Sequence, residues 1–180
     1  MSSPRRAVAF PAGLSPSLAT ASGVIALTVV AVDQATKALV RWVLPLCSPT
    51  GCNGVHAGPF VFVNRTNPGA AFGIGAASTA CVLLAATSCL LIPPLGARLS
   101  AAGANRGTVA LTLGLLTGGA LGNLADRIVF GAVTDFLIPG GHVVLNLADV
   151  AVMAGMAMTI GLLVRNRTGL APARISRTTA

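Results

Sequence analysis

The chain contains no glutamate and only one lysine, and charged residues make up 9% of its 180 residues. A soluble globular domain carries roughly 25% charged residues, so this composition excludes an ordinary soluble enzyme or binding module. Hydrophobic residues instead account for 54% of the chain. The shortage of charge therefore predicts a membrane protein.

Several familiar catalytic patterns are missing as well. No serine lies in a nucleophile-elbow pattern, and no glycine-rich phosphate loop is present. His56 and His142 are far apart and have no cysteine or glutamate at metal-ligand spacing, so no metal site is expected. The arginines are scattered over short loops and tails without interleaved aromatic residues, which favours membrane topology and anionic lipid over nucleic acid as their explanation.

Long uncharged stretches predict the fold class, an all-α membrane protein with four transmembrane helices. A spanning helix needs about 20 residues. Pro11 and Pro16 interrupt the chain before a long apolar core develops, so we expect helix one to act as its own insertion signal rather than a cleaved signal peptide. We expect a single domain over residues 1–180, with flexible tails at about residues 1–17 and 166–180. The predicted helices are about Leu18–Val43, Ser78–Leu95, Gly107–Phe130 and Leu145–Val164.

The distribution of positive charge predicts the orientation. Placing both termini and the second loop in the cytoplasm gathers eight arginines and no acid on the inner side, as the positive-inside rule prefers. Four basic residues and four aspartates share the outer half, so the whole formal charge of +8 is cytoplasmic. The outer basic residues are Lys37, Arg41, Arg65 and Arg127.

The outer segment between helices one and two has structure of its own. Residues 59–63, Pro-Phe-Val-Phe-Val, have the β-branched and aromatic content of a short strand, which predicts a small lid on the membrane surface. Cys47 and Cys52 flank a turn in this segment, and a disulfide between them is possible if the compartment is oxidising. Gly114, Gly118 and Gly122 recur at every fourth residue of helix three, a pattern that favours close helix packing.

All four acids are aspartates near the outer ends of helices, where an ionisable group needs a partner or a function. Asp135 and Asp149 are fourteen residues apart, and their side chains can meet easily. Two facing carboxylates at low dielectric cannot both ionise comfortably, so one keeps its proton. Such a pair can activate water as general base and protonate a leaving amine as general acid, although the sequence does not indicate which aspartate is protonated at rest.

Other assignments of the aspartates are open from the residues alone. The tetrapeptide Asn-Leu-Ala-Asp occurs at residues 123–126 and 146–149, and its spacing by itself favours Asp126 with Asp149 as the pair. Adjacent Arg127 and nearby Asn123, however, favour a structural role for Asp126 at the end of helix three. Asp33 shares one stripe of helix one with Lys37 and Arg41, and structural, lipid-binding and catalytic roles are all open for it.

Four segments together resemble the lipoprotein signal peptidases, also called signal peptidase II. The resemblance implies a membrane-embedded aspartic endopeptidase of the bacterial cytoplasmic membrane, with its active site facing the outer side and no metal or cofactor. Its substrates would be prolipoproteins cut just before a diacylglyceryl-modified cysteine, and Asp135 and Asp149 would be the catalytic pair. The segments are Asp33-Gln34-Ala35-Thr36-Lys37, Asn67-Pro68-Gly69-Ala70-Ala71-Phe72, residues 118–127 leading to Val133-Thr134-Asp135-Phe136, and Leu145-Asn146-Leu147-Ala148-Asp149.

The resemblance also implies residues that hold the pair and orient the substrate, beneath a lid formed by the outer segment. The short connection from Phe136 to Leu145 and the Cys47/Cys52 pair lie outside the family pattern. Two rival functions are a small proton-coupled transporter and a non-catalytic membrane assembly protein. The supporting residues are Asp33, Lys37, Asn67, Gly69, Phe72, Asn123, Asp126, Arg127 and Asn146.

Overall fold

Three long apolar helices dominate the computed structural model, which describes residues 14–69, 92, 94–101, 103–140 and 143–167. They are α1 (Pro16–Val43), α3 (Arg106–Phe130) and α4 (Leu147–Arg167). Each is long and apolar enough to cross a membrane. The described part of α2 covers residues 94–101. The prediction of helices one, three and four is therefore confirmed.

The helix ends follow from local residues. Pro16 opens α1, where the missing N–H of proline has no intrahelical partner to lose. Asn105 caps α3 by accepting hydrogen bonds from the N–H groups of Gly107 and Thr108. Gly131, with φ +72°, ends the same helix in the left-handed conformation that glycine adopts without strain.

The predicted boundaries need three corrections. α1 begins two residues before the predicted Leu18, and α4 covers Leu147–Arg167 instead of the predicted Leu145–Val164. The basic loop predicted after Leu95 is helical as far as residue 101. Most of predicted helix two, from Ser78, lies outside the described residues, as do the ends of both predicted tails.

A three-stranded antiparallel sheet lies at one end of the helices, in the order β1 (Val55–Ala57), β2 (Phe60–Asn67) and β3 (Val133–Pro139). The strand predicted at residues 59–63 is confirmed as part of β2. The sequence predicted a short outer connection between helices three and four and no strand in it, but β3 lies there and pairs along β2 from Phe60 to Asn67. The sheet therefore links the two outer segments of the chain.

The loop between α1 and β1 contains a disulfide, which the sequence analysis gave only as possible. Cys47 and Cys52 are bonded to each other. The backbone N–H of Cys47 donates to the carbonyl of Asn64 on β2 at 2.8 Å, and Asn64 Nδ2 donates to the carbonyl of Leu44 at 3.0 Å. The cross-linked loop is thus held against the strand that leads to Asn67.

The glycines of α3 allow both neighbouring helices to approach closely. A Cβ at Gly114 or Gly118 would lie within 2.6 Å of α1 side-chain atoms. A Cβ at Gly122 would lie 2.7 Å from Oδ2 of Asp33. No side chain fits at these distances, so the predicted packing role of the glycine stripe is confirmed.

The apolar core lies at the end of the bundle opposite the sheet. It is built from Leu18 of α1, Leu99 of α2, and Val109 and Leu113 of α3, which are at most 5% exposed. Leu113 and Asn123 are ten positions apart in sequence, which is about 15 Å along α3. Apolar packing thus fixes the helices at one end and leaves the other end to polar contacts.

Candidate active site

The four aspartates gather where α1, α3 and α4 meet the sheet, as the sequence predicted. Asp33 lies on α1, Asp126 on α3, Asp135 on β3 and Asp149 in the first turn of α4. Asp33 and Asp126 are fully buried, and Asp135 is 4% exposed. Their contacts divide them into two groups, a buried ion network and a separate carboxylate pair.

Lys37 is the centre of the buried ion network. Its Nζ lies 2.8 Å from Oδ2 of Asp33 and 3.3 Å from Oδ2 of Asp126, and it donates to Oδ1 of Asn123 at 3.0 Å. These contacts use all three donors of the ammonium group, whose side chain is fully buried. A buried charge needs such complete pairing. Because Asp126 and Asn123 lie on α3, these contacts of Lys37 also join α1 to α3.

Asp126 holds three elements together. Its Oδ1 accepts from Nε2 of Gln34 at 3.2 Å, and its Oδ2 accepts from the backbone N–H of Thr134 at 2.9 Å. The structural role predicted for Asp126 is supported by these contacts, but the expected local partners are corrected. Arg127 donates to the carbonyls of Asn123 and Gly69 instead, because its side chain points toward the turn after β2.

Asp33 connects α1 to the start of α4. Its Oδ1 accepts a hydrogen bond at 2.9 Å from the backbone N–H of Ala148. Gln34 Nε2 also donates to the carbonyl of Gly122 at 3.0 Å. The first N–H groups of a helix have no intrahelical acceptor, so the carboxylate satisfies one of them and fixes where α4 begins.

Asp135 accepts one amide hydrogen bond on each carboxylate oxygen. Asn67 Nδ2 donates to Oδ2 at 2.8 Å, and Asn146 Nδ2 donates to Oδ1 at 2.7 Å. Both amides are held in this orientation, because Asn67 Oδ1 accepts from the N–H of Gly69 and Asn146 Oδ1 accepts from the N–H of Asp149. The site therefore presents two fixed donors to this side chain.

Asp149 lies beside Asp135 and shares a partner with it. Oδ1 of Asp149 accepts from Asn123 Nδ2 at 2.7 Å, and Oδ2 accepts from the backbone N–H of Asn146 at 3.2 Å. Because Asn146 Oδ1 also accepts from the N–H of Asp149, the two residues form a capping box at the start of α4. Asn146 thus bonds to both carboxylates of the pair.

The environment of Asp135 favours its neutral form. Burial is the largest cause that raises its pKa, from 3.8 to about 6. The hydrogen bond from Asn67 opposes that shift, the negative charge of Asp149 adds to it, and Asn146 and Lys37 oppose it. A carboxyl with such a pKa can exchange a proton near neutral pH, as acid–base catalysis requires.

A family model described as "Signal peptidase (SPase) II" matches residues 25–165, which include every residue of the site. The chain belongs to the signal peptidase II family. It is 38% identical over 142 residues to a lipoprotein signal peptidase of Moorella thermoacetica, a match that covers 73% of this chain and 85% of the relative. A lipoprotein signal peptidase of Streptomyces griseus is 47% identical over 96 residues, spanning 49% of this chain and only 46% of that relative.

The fold of this signal peptidase II family member is also that of a solved bacterial membrane enzyme. The superposition has a TM-score of 0.68 and covers 87% of this chain and 94% of the solved chain, at 21% identity. At this identity the likeness shows the fold alone. The shared fold is that of long apolar helices with a small sheet at one end.

The structure brings most of the predicted supporting residues to the pair or to the ion network. Asn67, Asn123 and Asn146 contact the two carboxylates directly. Gly69 orients Asn67 through its N–H, and its carbonyl accepts from Arg127 Nη2 at 3.0 Å. Phe72 lies outside the described residues, so its predicted place in a lid stays a prediction.

Three contacting residues were absent from the predicted site, namely Gln34, Arg41 and Thr134. Gln34 follows Asp33 directly, and Thr134 precedes Asp135, so both lie within segments that resemble the family. Arg41 lies eight residues after Asp33 on the same helix stripe. The helix stripe shared with Asp33 could have indicated that Arg41 belongs to the site. Contacts with partners more than 90 residues away in sequence could not have been predicted in this way.

Within the described ranges, no group of three or more His, Cys, Asp or Glu side chains is arranged to hold a metal ion. The polar atoms of the site instead bond to one another. Asparagine amides and one backbone N–H occupy both oxygens of Asp135 and of Asp149. This arrangement can orient two carboxylates toward a shared water or peptide bond.

Proposed function

We propose that this protein is a membrane-embedded aspartic endopeptidase that removes signal peptides from prolipoproteins, with Asp135 and Asp149 as its catalytic pair. The observation that carries the proposal is that Asn146 bonds to both carboxylates, by its side chain to Asp135 and by its backbone N–H to Asp149. A shared partner holds the two acids next to each other. The family membership supports a peptidase as the use of that pair.

The proposed reaction needs one charged and one neutral carboxyl. The anionic aspartate takes a proton from water, and the resulting hydroxide equivalent attacks the peptide carbonyl carbon. The neutral carboxyl donates a hydrogen bond to the carbonyl oxygen and later gives its proton to the leaving amine. The raised pKa of Asp135, about 6, supports its taking part in this proton exchange.

The three asparagines would keep the carboxylates in place during the reaction. Each is oriented by a second bond, from Gly69 N–H to Asn67, from Lys37 to Asn123, and from Asp149 N–H to Asn146. An amide fixed in this way cannot rotate to present its oxygen. Preorganised donors of this kind lower the cost of reaching the transition state, because they need no rearrangement as charge moves.

We further propose that the substrate is a diacylglyceryl-modified prolipoprotein cut just before its lipidated cysteine. Asp149 lies in the first turn of the apolar helix α4, and Asp135 lies on the adjoining sheet. The pair is thus at the boundary between an apolar span and a polar cap. A lipid-anchored peptide presents its scissile bond at such a boundary, and Phe72 with the segment after Gly69 would cover it.

The site would face the outer side of the bacterial cytoplasmic membrane. The disulfide between Cys47 and Cys52 lies on the same side as the sheet, and disulfides persist in oxidising compartments outside the cytoplasm. Arg106, at the opposite end of α3, would then be cytoplasmic, together with the arginines of both tails. Labelling the two cysteines in intact cells after reduction, with a reagent that does not cross membranes, tests this orientation.

The test of the proposed reaction compares wild type with Asp135→Asn and Asp149→Asn in detergent. Cleavage of a diacylglyceryl-modified prolipoprotein is followed by gel shift, and thermal unfolding is measured alongside. We expect both folded variants to lose nearly all activity. Asp126→Asn is the matched control, because it should lower the unfolding temperature without removing either proposed acid.

Other outcomes would change the assignment. A folded Asp135→Asn variant that keeps its rate while Asp126→Asn loses it would make Asp126 and Asp149 the pair. A folded wild type that cleaves no lipidated substrate would overturn the peptidase proposal and favour a proton-coupled transporter.

A further inference from the structure

Thr134, the residue before Asp135, is held at two points by other elements. Its backbone N–H donates to Oδ2 of Asp126 at 2.9 Å, and its hydroxyl oxygen accepts from Nη1 of Arg41 at 2.8 Å. The Thr134 side chain is buried on β3 and the residue is 8% exposed. The strand is therefore fixed to both α1 and α3 one residue before Asp135.

Arg41 is itself held in one orientation at the end of α1. Its guanidinium carbon lies 4.4 Å from the centre of the Phe130 ring at the end of α3, a distance typical of cation–π contact. Nη1 also lies 3.8 Å from Oδ1 of Asp126. Its side chain is 28% exposed, so Arg41 reaches inward from the rim of the site. A planar guanidinium with these three contacts has little freedom to swing away from Thr134.

The backbone between α3 and Asp135 is short, which makes this contact consequential. α3 ends at Phe130, and only four residues separate Phe130 from Asp135. The asparagine amides restrain the carboxylate itself, and pairing with β2 holds the strand within the sheet. Thr134 is the residue through which the strand is held to α1 and α3. A displacement of about 1 Å at a reacting group can lower a rate about a hundredfold.

We propose that Arg41 is a positioning residue for the reaction, which acts through the Thr134 hydroxyl to place Asp135. The inference rests on the proposed function, since it concerns the rate of that same reaction. Arg41 touches neither carboxylate of the pair in the contacts described. Its loss should lower kcat by about tenfold and leave KM nearly unchanged, because substrate binding does not use it.

A double-mutant cycle tests the proposal. We would measure kcat and KM for cleavage of the lipidated prolipoprotein by wild type, Arg41→Gln, Thr134→Val and the double variant. Valine keeps the shape and the strand preference of threonine but has no acceptor. Each single change should lower kcat by about tenfold and the double change no further, whereas Thr134→Ser should keep most of the rate.

Two control variants separate this contact from general effects. Arg106→Gln removes a positive charge at the opposite end of α3. Thr112→Val removes a buried hydroxyl whose hydrogen bond among the described residues is to the Thr108 carbonyl within α3. Both should retain the wild-type kcat. If Arg41→Gln did not fold, Arg41→Lys would replace it in the cycle, since lysine keeps the charge but lacks the planar fork.

Four outcomes would overturn the proposal. Losses that multiply to about a hundredfold in the double variant would show that Arg41 and Thr134 act separately. A rise in KM alone in Arg41→Gln would show that Arg41 contacts the substrate or lipid. A full rate in Thr134→Val would show that Arg41 does not act through the Thr134 hydroxyl, and its contact with Phe130 would be the remaining explanation. If folded wild type cut no lipidated substrate, the proposed function would fail independently of this inference. The Arg41–Thr134 coupling would then be tested by thermal unfolding, and it would be overturned if the effects of the two single variants added up in the double variant.

Discussion

Asp135 should make the free energy of unfolding depend on pH in a way that the Asp135→Asn variant does not. Burial, aided by the charge of Asp149, raises its pKa from 3.8 to about 6. The folded protein therefore binds this proton more tightly than the unfolded chain does. The resulting stabilisation is complete below about pH 4 and is lost as the pH rises through about 6.

The size of the effect follows from the difference between the two pKa values. A difference of about 2 pH units at 1.36 kcal/mol per unit corresponds to about 3 kcal/mol. Asp33, Asp126 and His56 are present in both proteins, so their contributions cancel in the comparison. Asparagine at position 135 meets two fixed amide donors with a single acceptor, which adds a cost that does not change with pH.

The assay is reversible unfolding by denaturant in detergent, from about pH 4.5 to about pH 7.5, with wild type and variant side by side. Across this range wild type should lose about 2 kcal/mol relative to Asp135→Asn, because at pH 4.5 part of the stabilisation is already lost. In the Asp149→Asn background the same comparison should give a smaller change, because a neighbouring negative charge has been removed. If the free energies of unfolding of wild type and Asp135→Asn changed in parallel with pH, the reasoning would be refuted.

Two further predictions concern the parts around the pair. Lys37→Met should lower the free energy of unfolding by about 3–5 kcal/mol, because it leaves the buried Asp33 without a cation and Asp126 with only Arg41 at 3.8 Å. A loss below about 1 kcal/mol in denaturant titration would contradict the network. Replacing both Cys47 and Cys52 by serine should cost about 2 kcal/mol of stability while cleavage continues. Adding a reductant to wild type should reproduce that loss, and an unchanged unfolding temperature on reduction would contradict it.

The sequence predicted the helices well because their signals are local. Long runs without charge require a membrane, and residues such as Pro16, Asn105 and Gly131 mark helix ends through their own backbone and side-chain chemistry. The strand β3 carries no comparable signal. Val133 to Phe136 are all buried, so the alternation of apolar and polar residues that reveals a half-exposed strand is absent.

The polar contacts were harder to predict because they join distant parts of the chain. The partners of Asp126 lie 92 residues away on α1 and eight residues away on β3. Adjacent Arg127 looked like a partner by position alone. On a helix, however, consecutive side chains point in different directions, so a neighbour in sequence need not be a neighbour in space.

The repeated tetrapeptide shows why spacing alone favoured Asp126, whereas the proposed pair contains Asp135. At residues 146–149 it lies at the start of α4, where free backbone N–H groups allow Asn146 and Asp149 to form a capping box. At residues 123–126 it lies near the end of α3, where those N–H groups are already bonded. Asn123 therefore reaches across to Asp149, and Asp126 turns to Lys37.

The two groups of aspartates differ in how their charge is balanced. In the ion network, Lys37 and Arg41 bring two formal positive charges against the two carboxylates of Asp33 and Asp126, so the network is neutral as a whole. Among the described residues, no lysine, arginine or histidine lies within ion-pair distance of the other two aspartates. Two neighbouring carboxylates without a cation, one buried and one half-buried, cannot both ionise comfortably, and only neutral amide and backbone donors hold them. The network can thus make the site rigid, while the unbalanced pair is left able to exchange a proton.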